Sequence, residues 1–261
     1  MKIMVCVKAA PLPESNFRIN SAGDFYEEAG LAFQVNEYDL YAMEEAVRIR
    51  ERLGPLGKVE ITVVSAGPAR VEAQLKKAMG LGADHGVRID DPEASPRDAL
   101  ALASLLAAWA KDKNFDLILC GVMSQDLQRG QVGPMLAERL SLPCATAVIS
   151  LELSADRKKI TCERELEAGE RERVELPLPA LVTIQSGINL PRYASLSNVL
   201  RVKGMKIPSV PAAALGPVMA SERMVRAYLP EPAGNCEFLE GDPAAIADRL
   251  IEEIRTRVHV R

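Results

Sequence analysis

The sequence predicts an α/β protein: a Rossmann-like parallel sheet with helices on both faces, an added antiparallel hairpin, and an extended C-terminal arm. Three observations carry this expectation. Short β-branched apolar runs alternate with helical patterns of roughly 10 to 15 residues, which implies βαβ units with right-handed crossovers. Between Lys158 and Ile184 the apolar period changes to two around Ala168-Gly169. After Gly204 periodicity gives way to a Pro- and Ala-rich stretch containing Pro208, Pro211, Pro217, Pro230 and Pro232, too long for an ordinary loop inside a compact domain.

Each element follows from local chemistry. Ile3 to Val7 is an apolar run and reads as a buried first strand. Asn36, with Asp39 three residues on, opens a helix on which Ala42, Ala46, Ile49 and Leu53 share a stripe. Gly54-Pro55 ends that helix. Val59 to Ser65 is a second strand, closed by Gly67-Pro68 and followed by a helix from about Ala69 to Met79. Gly86 to Ile89 is a short third strand, Asp98 to Lys111 an apolar helix, and Asp116 to Cys120 a fourth strand. A helix from Val132 to Leu140 and a strand from Ala145 to Leu151 complete the series. The hairpin falls at about 158–177, and Ala180 to Ile184 is a further strand. Pro243 to Arg257 is an amphipathic helix with Ile246, Leu250 and Ile254 on one stripe. Residues 1–207 are expected to form one nucleotide-binding α/β domain, and 208–261 an arm that wraps another subunit.

Composition narrows the function. Lys and Arg total 32 against 36 Asp and Glu, a net charge of −4, which removes the electrostatic footprint of a nucleic-acid binder. Aromatic residues are 4% of the chain, so the core is aliphatic. Cys6, Cys120, Cys144, Cys162 and Cys236 form no C-x-x-C pair, which suits a reducing cytoplasm. With only His85 and His259, a zinc or non-haem iron site is not expected. The apolar stretch Ala99 to Ala110 has 12 residues, too few to span a bilayer. Ile3 to Val7 is too short for a secretion signal. The chain is expected to be cytoplasmic and not itself a membrane protein.

Gly121 to Pro134 follows the fourth strand and runs into a helix N-terminus, with Gly130 and Gly133 allowing close backbone approach and Arg129 placed to pair with a phosphate. In an open α/β sheet that position binds nucleotides. The same pattern also fits an ordinary long connection with a proline in the first helical turn. Gly80-Leu-Gly-Ala-Asp-His-Gly86 resembles a dinucleotide loop but lies between a helix and a strand, the reverse of the required order. Gly80 and Gly82 therefore read as helix-end and turn residues, and His85 as a turn residue. Asn36 and Asp39 read as helix caps, in preference to ligand contacts. The charge run Glu163 to Glu175 reads as a solvated hairpin face. No phosphate-binding P-loop, nucleophile elbow or H-E-x-x-H helix occurs. A nucleotide site without hydrolytic machinery points to a cofactor-carrying or electron-transfer role.

Five segments in order then carry a resemblance. They are Met1 to Lys8, Val35 to Arg48, Ser65-Ala-Gly-Pro68, Gln125 to Pro134, and Leu178 to Thr183 with Asn189-Leu-Pro-Arg-Tyr-Ala-Ser-Leu-Ser-Asn198. Together they resemble the β subunit of electron transfer flavoproteins over about residues 1–207. The resemblance implies an α/β fold of the adenine-nucleotide-binding type and a heterodimer whose α subunit shares an electron-carrying FAD. It implies AMP or a second FAD in this subunit, touching Cys6, Asn36, Glu37, Tyr38, Asp39, Ala66, Gly121, Val122, Met123, Ser124, Gln125, Asp126, Leu127, Gln128, Arg129, Gly130, Gln131 and Val132. No residue is expected to be catalytic. Leu196, on a partner-recognition loop at about 189–203 with Arg192 and Tyr193, matches the family's anchor for dehydrogenases, whereas helical spacing alone would bury it. The implied donors are acyl-CoA dehydrogenase-type flavoenzymes, and the acceptor a quinone oxidoreductase or another protein. Glu37 replaces the family's usual proline, and Ala9 to Glu14 replaces its usual first turn. Gln131-Val-Gly-Pro134 looks more like the bifurcating type, in which a β-bound FAD oxidises NADH. A stand-alone adenine-nucleotide sensor is the remaining alternative, and the hairpin, the Leu196 loop and the arm argue against it.

Overall fold

The computed structural model describes residues 1–91, 98–218, 220–231, 234, 236 and 238–257. Pro232, His259 and positions 258–261 of the expected arm lie outside them. In chain order the elements are β1 (Lys2–Cys6), β2 (Ala9–Pro11), β3 (Phe33–Val35), α1 (Glu37–Leu53), β4 (Glu60–Gly67), α2 (Glu72–Gly80), β5 (His85–Asp90), α3 (Ala99–Ala110) and β6 (Leu117–Gly121). Then come α4 (Val132–Leu140), β7 (Cys144–Leu153), β8 (Lys159–Glu165), β9 (Arg171–Pro177), β10 (Ala180–Ile184), α5 (Leu196–Lys203), β11 (Ser209–Pro211) and α6 (Pro243–Arg257).

One sheet runs β11-β5-β4-β1-β6-β10-β7-β8-β9. Every pair from β11 to β7 is parallel, and β8 and β9 extend the sheet as an antiparallel hairpin. The chain winds outward from β1 through β4 and β5, then returns to β6 on the other side of β1. That reversal opens a crevice at the carboxyl ends of β1 and β6, where open α/β sheets take their ligands.

Pleating explains the two cores. On β1, Ile3 and Val5 face one side with Ile61, Val63, Leu117 and Leu119, and meet Ala42, Ala46 and Ile49 of α1 and Leu75 and Met79 of α2. Met4 and Cys6 face the other side with Val64, Ile118 and Leu181, against Leu106 of α3 and Leu136 of α4. On the hairpin, Lys159 pairs with Glu175 at 2.8 Å, Arg164 with Glu172 at 2.7 Å and Arg171 with Glu163 at 3.4 Å, all across strands.

Three expectations change. His85 is the first residue of β5, paired with Thr62, and not a turn residue; the turn is completed by Gly82, whose φ of 137° suits glycine. A small antiparallel sheet, β2 with β3, was not expected. The chain also stays on the α/β unit past residue 207: β11 pairs with β5, and Ala212, Leu215 and Val218 pack against the core beneath α3. Burial of those apolar side chains holds the segment down. The compact unit is Met1–Ala227, and Tyr228–Arg261 forms a second unit. In the second unit the Asp242 carboxylate caps α6 by accepting from the backbone N–H groups of Ala244 and Ala245 at 3.0 Å. Leu250, Ile251 and Ile254 of α6 are exposed.

Candidate functional site

The crevice is built by the ends of β1, β4 and β6 and the first turns of α1 and α4. The Asp39 carboxylate accepts from the backbone N–H of Lys8 at 2.7 Å and of Gly121 at 3.1 Å, tying the two central strand ends to α1. Burial pushes its pKa up to about 7 against the pull of those bonds, of Asn36 and of the Lys8 charge. Gly121 has to be glycine: a Cβ there would lie 2.5 Å from Asp39 Oδ1 and 2.6 Å from Tyr38 Cβ.

Asn36 occupies the N-cap position of α1 but makes no side-chain cap bond, contrary to the local expectation. Its amide donates to Met123 O at 2.9 Å and its Oδ1 accepts from the Gln125 N–H at 3.0 Å. Asp39 likewise serves the strand ends and not its own helix. Gln125 Oε1 supplies an acceptor for the Glu37 N–H at 3.3 Å. A loop 87 residues away thus takes up both polar ends of the Asn36 amide.

Lys8 Nζ reaches Asp126 Oδ1 at 2.5 Å and Ser124 Oγ at 3.3 Å. Ser124 closes the turn by accepting from the Leu127 N–H through Oγ and from the Gln128 N–H through its carbonyl. Gln128 and Gly130 adopt φ of 51° and 64°. Gln131 N-caps α4 without a side-chain bond, and its buried Oε1 has no hydrogen-bond partner. Gly133 serves packing: a Cβ would stand 2.4 Å from Thr183 Cγ2 of β10. Across the crevice stand Ser65, Ala66 and Gly67 from β4, and Leu102 and Leu106 from α3. Arg70 also lines it, paired with Glu28 and lying 4.1 Å over the Phe33 ring.

Of the residues singled out in the sequence, Cys6, Asn36, Asp39, Ala66, Gly121, Val122, Met123, Ser124, Leu127, Arg129, Gly130, Gln131 and Val132 line this one crevice. Glu37, Tyr38, Gln125, Asp126 and Gln128 stand outside its lining and shape it through the bonds and contacts above. Lys8, Ser65, Arg70 and Leu102 were missed. Lys8 and Ser65 had a sequence signal, their places at the ends of the first two strands and within the resembling segments. Cys120, which also lines the crevice, is kept as a neutral thiol by its hydrogen bond with Cys6 and by burial.

A second feature lies along α1. Arg192 donates from Nε to Glu44 at 2.8 Å and from Nη1 to Glu51 at 2.5 Å. Those bonds pull the Glu51 pKa down and the Arg192 pKa up. Asn189 donates to Tyr41 O at 3.1 Å and Glu45 Oε2 at 3.2 Å. The segment is fastened to α1 while Tyr193 is 99% and Leu196 74% exposed. Leu196 begins α5, capped by Ser195, and faces solvent, so the spacing-based expectation of a buried leucine does not hold.

Fold and crevice together define a doubly wound α/β protein with a crevice at the sheet's switch point. Residues 25–215 match the family model described as the electron transfer flavoprotein domain. The chain is 34% identical to an electron transfer flavoprotein subunit beta of Methylophilus methylotrophus, over 97% of this chain and 98% of that one. It is 32% identical to the Bacillus subtilis protein of the same description over 90% of each. Identity to the Bos taurus protein is 36% over 75% of each. The chain belongs to the electron transfer flavoprotein family. Among the described residues no helix is long and apolar enough to cross a membrane.

Proposed function

We propose that this chain is the β subunit of a heterodimeric electron transfer flavoprotein, accepting electrons from acyl-CoA dehydrogenase-type flavoenzymes and passing them to a quinone oxidoreductase or another acceptor. The observation that carries this reading is the division of labour along α1. Its first turn builds the crevice through Asn36 and Asp39, and its later turns fasten the segment that exposes Tyr193 and Leu196. An exposed apolar pair on a rigid mount is the form of a docking anchor. The exposed stripe of α6 supports an arm, within about 208–261, that closes on the α subunit. Free cysteines throughout support a cytoplasmic setting.

The crevice fits an adenine nucleotide, AMP or a second FAD. The α4 N-terminus has no side-chain cap, and Gln131 Oε1 offers a buried acceptor. Val122, Met123, Ser124, Leu127 and Gly130 to Val132, which line the crevice, would hold the base and ribose, and Arg129 with the α4 N-terminus the phosphate. The FAD shared with the α subunit supplies the redox chemistry when bound. This chain's residues bind, orient and dock, and none acts as acid or base on a substrate.

The test is reduction of the co-purified heterodimer by an acyl-CoA dehydrogenase and its substrate, with nucleotide content measured by denaturing extraction. Flavin bleaching with one FAD and one AMP per heterodimer supports the simple carrier. No bleaching overturns it. Two FAD with NADH oxidation would establish the bifurcating reading, which the Gln131 to Pro134 turn favours.

A further inference from the structure

The segment after β11 crosses from α3 to the crevice. Asp98, 3% exposed, caps α3 by accepting from the Ala101 N–H at 2.7 Å. The same carboxylate accepts from the Ser221 backbone N–H, from Ser221 Oγ at 2.9 Å and from the Glu222 N–H at 2.8 Å. These bonds hold its pKa down against burial. Two consecutive backbone N–H groups and a hydroxyl therefore clasp one buried anion, and the strap is fixed at that point. Beyond it, the Ala227 N–H donates to Gly23 O at 2.9 Å.

The consequence is where Glu222 ends up. Its carboxylate lies 3.6 Å from the guanidinium of Arg129, a cation lining the crevice. Glu222 is half exposed and Arg129 28% exposed. A pair so long and so solvated contributes little. A phosphate offers a guanidinium shorter, bidentate bonds and more charge.

We propose that Glu222 is the resident counter-anion of the crevice: it occupies Arg129 until the phosphate of a bound nucleotide takes its place, and Asp98 fixes it there through the strap. This rests on the nucleotide reading above and adds two residues to the site, Glu222 as a competitor for the anion and Asp98 as its positioning residue. The exchange is selective by charge. Glu222 weakens binding of a phosphorylated ligand and leaves its uncharged nucleoside untouched.

The test uses the full chain in complex with its α subunit, stripped of nucleotide, with AMP and adenosine as probes in parallel calorimetric titrations. E222Q should bind AMP about two- to fivefold more tightly than the parent, the range expected for one exposed ion pair, with adenosine affinity unchanged. D98A should give the same gain for AMP, and E222Q/D98A no more than E222Q alone, because both release the same arginine. If D98A fails to fold, E222Q carries the test alone, since its side chain is half exposed. Unchanged AMP affinity in E222Q overturns the proposal, as does an equal gain for adenosine. A parent complex that binds neither probe overturns the nucleotide reading and this proposal with it. AMP binding of ordinary strength without an E222Q effect overturns only the role of Glu222.

Discussion

Asp39 accepts the Gly121 backbone N–H at 3.1 Å across a separation of 82 residues, and the same carboxylate holds the Lys8 N–H at 2.7 Å. One buried side chain thereby fixes the ends of the two central strands at the mouth of the crevice. Its charge state is a stability variable. Burial raises the folded-state pKa from 3.8 to about 7. Well below the unfolded value of 3.8 both states are protonated. As pH rises from about 4 to about 7 the unfolded chain releases the proton while the folded one keeps it, and stability falls; above that range the loss is complete. Urea unfolding of the parent and D39N at several pH values should show a difference that moves in favour of D39N by a few kcal/mol, on the order expected from such a shift. A constant difference between pH 4 and 8 would contradict the buried-carboxyl account.

Gly133→Ala drives a methyl group into Thr183 Cγ2, 2.4 Å away in the unrelaxed backbone. Destabilisation of about 1–3 kcal/mol is expected. Adding Thr183→Ser removes the opposing methyl and keeps the hydroxyl that accepts from the Ala147 N–H at 3.1 Å, so the double variant should recover most of the loss. Denaturant midpoints of the four proteins decide it, and failure of the rescue would place the strain elsewhere.

Leu196→Ala removes an exposed apolar side chain, and a stability change within about 0.5 kcal/mol is expected. On the docking reading proposed above, electron transfer from an acyl-CoA dehydrogenase should weaken through a higher KM for that enzyme while flavin content stays constant. Full turnover at low partner concentration would count against Leu196 as an anchor.

Arg192→Lys keeps the charge but loses the fork that reaches Glu44 and Glu51 together. Amide hydrogen exchange over residues 189–196 should rise severalfold, with a higher KM for the dehydrogenase and no change in crevice occupancy. Protection equal to the parent would mean that Asn189 alone holds the segment.

Much of this organisation was legible in the chain because apolar periodicity and glycine punctuation are local signals. Val132 to Leu140, Ala180 to Ile184 and the hairpin fall where the pattern puts them. The small strands did not announce themselves. Pro11 and Pro211 stand in three-residue runs without alternation, and β11 exists because the edge of β5 is there to pair with. Asn36 shows the other limit: its spacing to Asp39 satisfies a local cap rule, yet a distant loop satisfies the amide better. Leu196 shows a third, since an apolar residue at helical spacing looks the same whether it faces a core or a partner. Glu222 gave no sign, because its neighbour Arg129 is remote in sequence.

The two borders of the sheet differ in kind. At one, β9 presents acidic and basic side chains, of which Arg171, Glu172 and Glu175 are already matched to neighbours on β8. At the other, β11 offers three residues ending in Pro211. Neither border presents a long, flat, uncharged row of backbone donors and acceptors to a second copy of the sheet. The protein can therefore leave apolar side chains such as Tyr193 and Leu196 exposed without the sheet itself templating fibrils or stacking into edge-to-edge aggregates.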